Sequence, residues 1–151
     1  FQDLCPQAVR NFTLLCEGAK VGENFIHYKG SIIHRLVKNG WIQCGDLIDG
    51  SGLNSIAALN DANLVPDESF SLDFGFHAGG IIGFANSGSH SNGSQFFITM
   101  GPCEWMNHNY VGIGRILQGY DVITTLNLLN TSNQRPVKAI TIQNCGVTQT
   151  I

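Results

Sequence analysis

A predicted strand over residues 94–100 constrains the fold most, because its two faces differ in chemistry. It follows Asn92-Gly93, a turn dipeptide in which both residues tolerate positive φ. Strand alternation puts three apolar side chains on one face, those of Phe96, Ile98 and Met100. The other face carries an amide, a ring and a hydroxyl, from Gln95, Phe97 and Thr99. Such a mixed face suits a shallow groove for a peptide, and it equally fits the outer face of an ordinary half-exposed strand.

Residues 31–46 predict a hairpin whose loop length decides which side chains face each other. If Asn39-Gly40 formed a two-residue turn, Arg35 and Gln43 would lie on opposite faces. If the loop has three residues, 38–40, with Gly40 left-handed, Arg35 lies directly across from Gln43. We favour the second, because glycine suits the last position of that loop. A guanidinium beside an amide is a candidate polar site. The alternative is a surface arginine in an exposed ion pair worth under about 1 kcal/mol.

Composition limits the classes of partner. The chain has 151 residues, enough for one domain with a core. Its net charge is −3, with eight Lys and Arg residues and no basic run, which argues against nucleic acid as a partner. No apolar stretch approaches the roughly 18 residues of a membrane span, so we expect no membrane partner. Five widely spaced cysteines without a Cys-x-x-Cys pair indicate reduced thiols in a cytosolic setting and no zinc site.

The rest of the pattern predicts short strands with two helices. Pro6 opens a helix that Gly18 closes. A second helix follows Gly119, and four apolar side chains form its predicted buried side: Val122, Ile123, Leu126 and Leu129. Residues 47–69 are predicted to be loop, and residues 140–142 to be a final strand.

Five segments follow one another along the chain in a specific order. They are His34-Arg35, Gln43-Cys44-Gly45-Asp46, Gly83-Phe84-Ala85-Asn86, Asn92-Gly93-Ser94-Gln95-Phe96-Phe97-Ile98-Thr99 and Glu104-Trp105. This combination resembles the cyclophilins, the peptidyl-prolyl cis-trans isomerases, and the similarity is collinear from Phe1 to about Cys145. The loop sequence over residues 39–43 is most similar to a divergent subgroup, the peptidyl-prolyl isomerase-like 6 proteins.

The resemblance implies a mainly β fold, a closed antiparallel eight-stranded barrel capped by two helices, in a single domain over residues 1–151. Phe1 falls where such a barrel would be finishing its second strand. We therefore expect either that upstream residues complete the barrel or that a partner covers the open edge, and we favour the first.

The resemblance also implies a site. In cyclophilins an arginine donates to the prolyl amide and so favours the twisted transition state of the Xaa-Pro bond. Arg35 takes this role here, and Gln43 would help hold Arg35 and the substrate carbonyl. Phe97 would line the proline pocket, while Asn86 and Gln95 would hydrogen-bond the extended peptide. The remaining expected substrate contacts are Trp41, Ala85, Ser87, Trp105, Met106 and Tyr110. No cofactor and no metal is implied.

Five positions depart from the family pattern. Gly40 and Trp41 stand where the family has a Phe and a Met that line the proline pocket. Tyr110 stands where the family has a His, Met106 where it has a Leu and Ser87 where it has an Ala. Loss of one aromatic wall would weaken proline binding, since burying such a side chain is worth about 1.5–3 kcal/mol. The alternative is that Trp41 swings in and refills the space.

Neighbouring polar residues are given no catalytic role. His34 precedes Arg35, but strand alternation turns it to the opposite face, where we expect a hydrogen-bonded core or interface histidine. Asp67 and Glu68 point apart in an extended chain, so we do not expect them to act as a pair.

Two functions from different classes remain. The first is a prolyl isomerase, weakened by Gly40, Trp41 and Tyr110, that acts on proline-containing protein segments in the cytoplasm. The second is a non-catalytic binding or scaffold subunit of a larger assembly, and the subgroup resemblance fits the axoneme of motile cilia. Retention of Arg35 and Gln43 favours the enzyme, which we prefer. The substituted pocket and the open edge favour the scaffold.

Overall fold

The computed structural model describes residues 1–59, 63–71, 73 and 75–148. The first helix, α1, spans Pro6–Glu17, as predicted: proline suits the first turn, and Gly18 ends the helix with φ 89. Ala8 and Leu15 are buried against the core. Asn11 is buried as well, and its side chain donates to the Gly93 carbonyl at 2.8 Å, which ties α1 to the turn before the predicted strand.

One five-stranded antiparallel sheet and two small hairpins make up the β structure. The sheet has the order β3-β4-β6-β5-β7. Its strands are β3 Ile33–Val37, β4 Trp41–Cys44, β5 Ile81–Phe84, β6 Phe96–Thr99 and β7 Gly112–Arg115. The hairpins are β1 Ala19–Val21 with β2 Asn24–Ile26, and β8 Thr131–Ser132 with β9 Arg135–Pro136. A short 3-10 helix spans Glu104–Met106.

The predicted closed eight-stranded barrel is wrong for the described residues, because the two outer strands of the sheet do not pair with each other. The edge of β3 is met by irregular chain instead, since the Ile33 amide donates to the Ile140 carbonyl at 2.9 Å. The edge of β7 is met by the start of the chain, where the amino group of Phe1 donates to the Ile113 carbonyl at 3.2 Å. At each outer edge this hydrogen bond comes from a non-strand segment, and the described residues form nine strands instead of the expected eight.

The predicted three-residue hairpin loop is confirmed. Val37 pairs with Trp41, so residues 38–40 form the loop and Arg35 faces Gln43. The left-handed residue is Asn39, with φ 57, rather than the predicted Gly40. Asparagine tolerates this conformation better than most residues. The Asn39 side chain also accepts from the side-chain amide of Asn127 at 2.8 Å, which ties the loop to the second helix.

Other predictions about local structure are only partly correct. Asn92 has no positive φ and pairs with Val65 in an isolated bridge. The second helix, α2, spans Tyr120–Leu128, but no residue of it is fully buried, and Val122 is 55% exposed. The predicted final strand is reduced to one bridge between Ile32 and Thr141. The predicted loop over 47–69 contains no helix or named strand where it is described, and its residues 60–62 lie outside the described part.

No helix in the described part of the chain is both long and apolar enough to cross a bilayer.

Candidate functional site

A row of facing residues crosses the whole sheet and forms the base of the candidate site. Arg35 on β3 faces Gln43 on β4, and Gln43 faces Phe97 on β6. Phe97 in turn faces Gly83 on β5. Facing residues of neighbouring strands project to the same side of a sheet. The guanidinium, the amide and the ring predicted from sequence therefore lie side by side.

The lack of a side chain at Gly83 makes room for the Phe97 ring. A Cβ on Gly83 would lie 2.6 Å from the tip of the Phe97 ring and 3.0 Å from the ring of Phe76. Only glycine leaves room for both rings above this strand. Phe97 and Met106 are 1% and 2% exposed, so both lie under other side chains. The mixed face predicted to line a shallow groove is thus buried rather than open.

Four aromatic rings pack in sequence above this floor. Phe97 contacts Tyr110 with ring centres 5.6 Å apart, and Tyr110 contacts Trp105 at 6.0 Å. Trp105 contacts Trp41 at 5.6 Å. Trp105 is nevertheless 58% exposed, so it forms the rim rather than the core. Trp41 thus reaches from β4 to the 3-10 helix, which is the inward position that sequence left as an alternative.

Two side chains hold Arg35, those of Trp41 and Gln134, and Gln43 is not one of them. Its guanidinium carbon lies 5.1 Å from the centre of the Trp41 ring. Its Nε donates to the side-chain oxygen of Gln134 at 2.7 Å. Both terminal nitrogens of Arg35 donate to no group in the part of the chain that the structure describes, so they are available to a ligand.

Gln43 belongs instead to a network of amides. Its Oε1 accepts from the indole N–H of Trp41 at 3.3 Å, and its Nε2 donates to Oε1 of Gln95 at 2.8 Å. Gln95 then donates to the carbonyls of Gly52 and Asn54 at 2.9 and 2.8 Å. The Gln95 side chain is 6% exposed, and its amide already makes these hydrogen bonds within the protein. Its predicted hydrogen bond to substrate would therefore require this network to rearrange.

The Asp46 carboxylate holds the loop that Gln95 contacts. It accepts from the amides of Gly52 at 2.8 Å and Asn54 at 3.2 Å, and from those of Ile48 and Asp49. Burial acts to raise the pKa of Asp46, but these backbone N–H bonds outweigh it and hold the pKa well below its usual range. Asp46, at the end of the Gln43-Cys44-Gly45-Asp46 segment, therefore fixes this loop.

The other expected contacts line an adjacent cavity. A cavity of about 270 Å³ is lined by Gln43 and Gln95 together with Ala85, Asn86 and Ser87. The Asn86 side chain donates to the Asn109 carbonyl at 2.8 Å and so is already bonded within the protein.

His34 differs from its prediction. An extra residue enters β3 between Ile33 and Arg35, so simple alternation does not hold at His34. The side chain is buried against Gly52, and neither ring nitrogen has a hydrogen-bond partner in the described part of the chain. Gln95 lies near, but its amide is already committed to the loop carbonyls. Burial lowers the pKa of His34, so the ring is held neutral.

The acidic pair has structural partners, as expected. Asp67 accepts from the amide of His90 and the side chain of Asn92, both at 2.8 Å. Glu68 accepts from the first free amides of α1, including that of Ala8 at 2.8 Å.

Comparison with known proteins decides the family. Residues 1–147 match the model of the cyclophilin-type peptidyl-prolyl cis-trans isomerases. The chain is a cyclophilin. Its row of Arg35, Gln43 and Phe97 lies on the strands that carry three of the motifs predicted from sequence.

Among curated relatives, this cyclophilin is similar to proteins named "Probable inactive peptidyl-prolyl cis-trans isomerase-like 6". It is 40% identical to that of Bos taurus over 98% of the chain and 46% of the relative, and 39% identical to that of Homo sapiens over 95% and 46%. It is 38% identical to "Peptidyl-prolyl cis-trans isomerase cyp11" of Rhizopus delemar over 97% of the chain and 44% of the relative. The chain thus spans less than half the length of each.

Sequence reasoning missed two residues of this candidate site. Gln134 holds Arg35 from 99 positions along the chain, and no local pattern marks it. Phe76 packs on Phe97 with ring centres 5.4 Å apart, and its neighbours Gly75 and Gly79-Gly80 were the available signal for a close-packed turn. The described residues contain no group of three or more His, Cys, Asp or Glu side chains that could hold a metal ion.

Proposed function

We propose that this cyclophilin binds Xaa-Pro segments of protein chains and isomerises the prolyl bond, at a low rate, through Arg35. The observation that carries the proposal is the row of Arg35, Gln43 and Phe97 across three strands. This row offers a cation, an amide and an apolar surface at neighbouring positions. A prolyl peptide presents the matching groups, namely a carbonyl, an amide nitrogen and an apolar ring.

The physical task is small for an enzyme. Resonance stiffens the prolyl C–N bond and gives a barrier of about 18–20 kcal/mol, and no covalent chemistry is needed to lower it. A donor aimed at the prolyl nitrogen stabilises the twisted transition state, in which resonance is lost, more than the planar ground state. The two unpaired terminal nitrogens of Arg35 would supply this donor.

Access of the substrate proline ring to the buried side chains would limit the rate of isomerisation. Phe97 and Met106 are almost fully buried, so a proline ring reaches them only after Trp41 or Tyr110 moves. The same movement of Trp41 would release Arg35 from the indole ring. We therefore propose slow turnover rather than the loss of the site.

The experiment is NMR exchange spectroscopy on an Ala-Pro peptide mixed with the purified chain. Uncatalysed exchange takes tens of seconds, so cross-peaks between the cis and trans forms on the sub-second scale require catalysis. We expect these cross-peaks in the natural chain and their loss in Arg35→Ala. Arg10→Ala is the matched control, because Arg10 is an exposed arginine on α1. Equal exchange in Arg35→Ala and the natural chain would overturn the role of Arg35.

A second candidate function is a binding or scaffold subunit without turnover, assembled into a larger complex such as a ciliary axoneme. The contacts of Arg35 with Trp41 and Gln134 favour this second function. A guanidinium that they hold away from the prolyl nitrogen cannot donate to that nitrogen. The same spectra separate the two candidates. Peptide shift changes without exchange cross-peaks would support binding alone, whereas cross-peaks that depend on Arg35 would support the enzyme.

A further inference from the structure

A second cavity of about 410 Å³ is bordered by the rim tryptophan, Trp105. Its walls include Phe70, His90, Trp105, His108 and Tyr110. We call it the outer groove. Three of its side chains are aromatic, and Phe70 and Trp105 are 38% and 58% exposed. Exposed rings at neighbouring positions suit a ligand with flat apolar surfaces.

The outer groove also presents hydrogen-bond donors without partners. The indole N–H of Trp105 and the hydroxyl of Tyr110 donate to no group in the described residues. The hydroxyl of Ser89, also in the wall, is exposed and likewise unpaired there. Donors between aromatic rings match the carbonyls of an extended chain that has no internal hydrogen bonds of its own.

The outer groove offers no fixed positive charge. Neither Lys nor Arg lines it among the described residues, and Asp67 is its one carboxylate. The Asp67 side chain is 5% exposed and already accepts from the amide of His90. An acidic or phosphorylated ligand would therefore find no cation there, so the lining favours a neutral segment.

The outer groove is continuous with the cyclophilin site. Asn86 lines both this cavity and the cavity beside Gln43. Trp105 and Tyr110 form one wall of the outer groove and also belong to the ring series above Phe97. A peptide bound on the row of Arg35 and Gln43 would therefore continue into the outer groove.

We infer that the outer groove is a second subsite, which binds a neutral polyproline II segment carrying a second proline near the first. Polyproline II chains expose their carbonyls and apolar rings, and aromatic-lined grooves recognise them. The inference rests on the proposed function, because the first proline must lie at the row of Arg35. The ring centre of Phe97, in the row, lies 5.6 Å from that of Tyr110, in the wall of the outer groove. At a rise of about 3.1 Å per residue, a second proline that binds beyond Tyr110 is roughly two or three residues from the first.

The test compares three alanine-based peptides binding to the purified chain by NMR titration. One has a single proline, one has a second proline two or three residues before it, and one has a second proline two or three residues after it. We expect the best two-proline peptide to bind about tenfold more tightly than the single-proline peptide, which corresponds to about 1.4 kcal/mol. Phe70→Ala should abolish this gain and leave the single-proline affinity unchanged. Phe25→Ala is the matched control, because Phe25 is 71% exposed on β2 and lines neither cavity.

A second variant keeps the test decisive if Phe70→Ala disturbs folding. Ser89→Trp fills the outer groove from an exposed position and should remove the gain in the same way. Equal affinity for all peptides would overturn the second subsite and leave the proposed function intact. A gain that survives both variants would place the second proline elsewhere and also overturn it. Failure of every peptide to bind would overturn the proposed function and the subsite together.

Discussion

The guanidinium carbon of Arg35 lies 5.1 Å from the centre of the Trp41 ring. Trp41 also donates its indole N–H to Gln43 and packs against Trp105. One side chain therefore contacts the cation, the amide and the rim of the candidate site. Its position governs both the freedom of Arg35 and the access to the rings beneath.

Replacing this tryptophan should speed the reaction. In Trp41→Met, the cation–ring contact is lost, and such a contact is worth about 0.5–1 kcal/mol at an exposed site. A flexible methionine should also uncover Phe97 for a proline ring. We expect the exchange rate of an Ala-Pro peptide to rise about two- to fivefold, measured by NMR exchange spectroscopy at fixed protein and peptide concentrations.

Phe25→Met serves as the control for Trp41→Met, since it replaces an exposed ring outside the site. It should leave the exchange rate at the value of the natural chain. A Trp41→Met rate no higher than that value would show that Trp41 does not restrain the site.

Gly83 should be required for the floor of the site. In Gly83→Ala, the new methyl would meet Phe97 at 2.6 Å and Phe76 at 3.0 Å, and overpacking of this kind costs typically 1–3 kcal/mol. Urea unfolding should therefore show a free energy of unfolding lower by about 1–3 kcal/mol. Gly114→Ala, on the adjacent β7, is the matched control, because a Cβ there meets nothing within 4 Å. Equal losses in the two variants would refute the packing argument.

The sequence predicts those parts of the site that depend on local pattern. The loop 38–40 and strand alternation are enough to place Arg35 across from Gln43, and the turn before β6 leads to Phe97. The contacts that hold Arg35 are different in kind. Gln134 is distant in sequence, and the choice between Trp41 and Gln43 as the neighbour of Arg35 depends on side-chain packing that no periodicity encodes.

The predictions about barrel closure and about α2 failed for the same reason, because both depend on contacts between distant parts of the chain. Barrel closure requires two edge strands to meet, whereas β3 is bonded by residue 140 and β7 by residue 1. The buried side of α2 was predicted from helical period alone. The helical period identifies which face of a helix is apolar, but that face is buried only where another part of the protein packs on it. The described residues do not bury Val122 in this way.

His34 should make stability depend on pH near neutrality. Its folded pKa is lowered by burial, with Asp46 acting to raise it and the charges of Arg135 and Arg35 acting to lower it. The unfolded chain, with a histidine pKa of about 6.5, therefore takes up the proton first as pH falls. Stability should fall as pH drops below about 6.5. In His34→Leu this dependence should disappear, and the free energy of unfolding at pH 7.5 should stay within about 1 kcal/mol or rise, because two unpaired ring nitrogens are removed.

Urea unfolding of His34→Leu between pH 7.5 and 5.5 measures this effect. His108→Asn is the control, because His108 is exposed and its positive φ of 66 is one that asparagine tolerates. This replacement should leave the slope of the natural chain intact. If His34→Leu keeps that slope, the protonation responsible lies at another group.

Asp46 should affect the stability of the fold at lower pH than His34 does. Unlike His34→Leu, replacement of Asp46 should lower the free energy of unfolding at neutral pH. Its folded pKa is depressed by backbone N–H bonds that outweigh the effect of burial, so the unfolded chain binds the proton first as pH falls. The stability it contributes is present in full above the unfolded carboxyl pKa of about 3.9 and is lost as pH falls below it. Asp46→Asn keeps the size of the side chain but not its charge. We expect it to cost about 1.5–3 kcal/mol at pH 7, since hydrogen bonds to a charged group are lost.

The loop that Asp46 fixes carries the carbonyls of Gly52 and Asn54 that bind Gln95, so this loss should reach the site as well as the stability. We expect Asp46→Asn to weaken Ala-Pro peptide binding at pH 7 and to flatten the fall in stability between pH 5 and 3. Asp3→Asn, at an exposed position, should change neither. Normal peptide affinity in a destabilised Asp46→Asn chain would mean that the loop supports the fold alone. In that case the amide network from Gln95 to Gln43 would keep its geometry without the carboxylate.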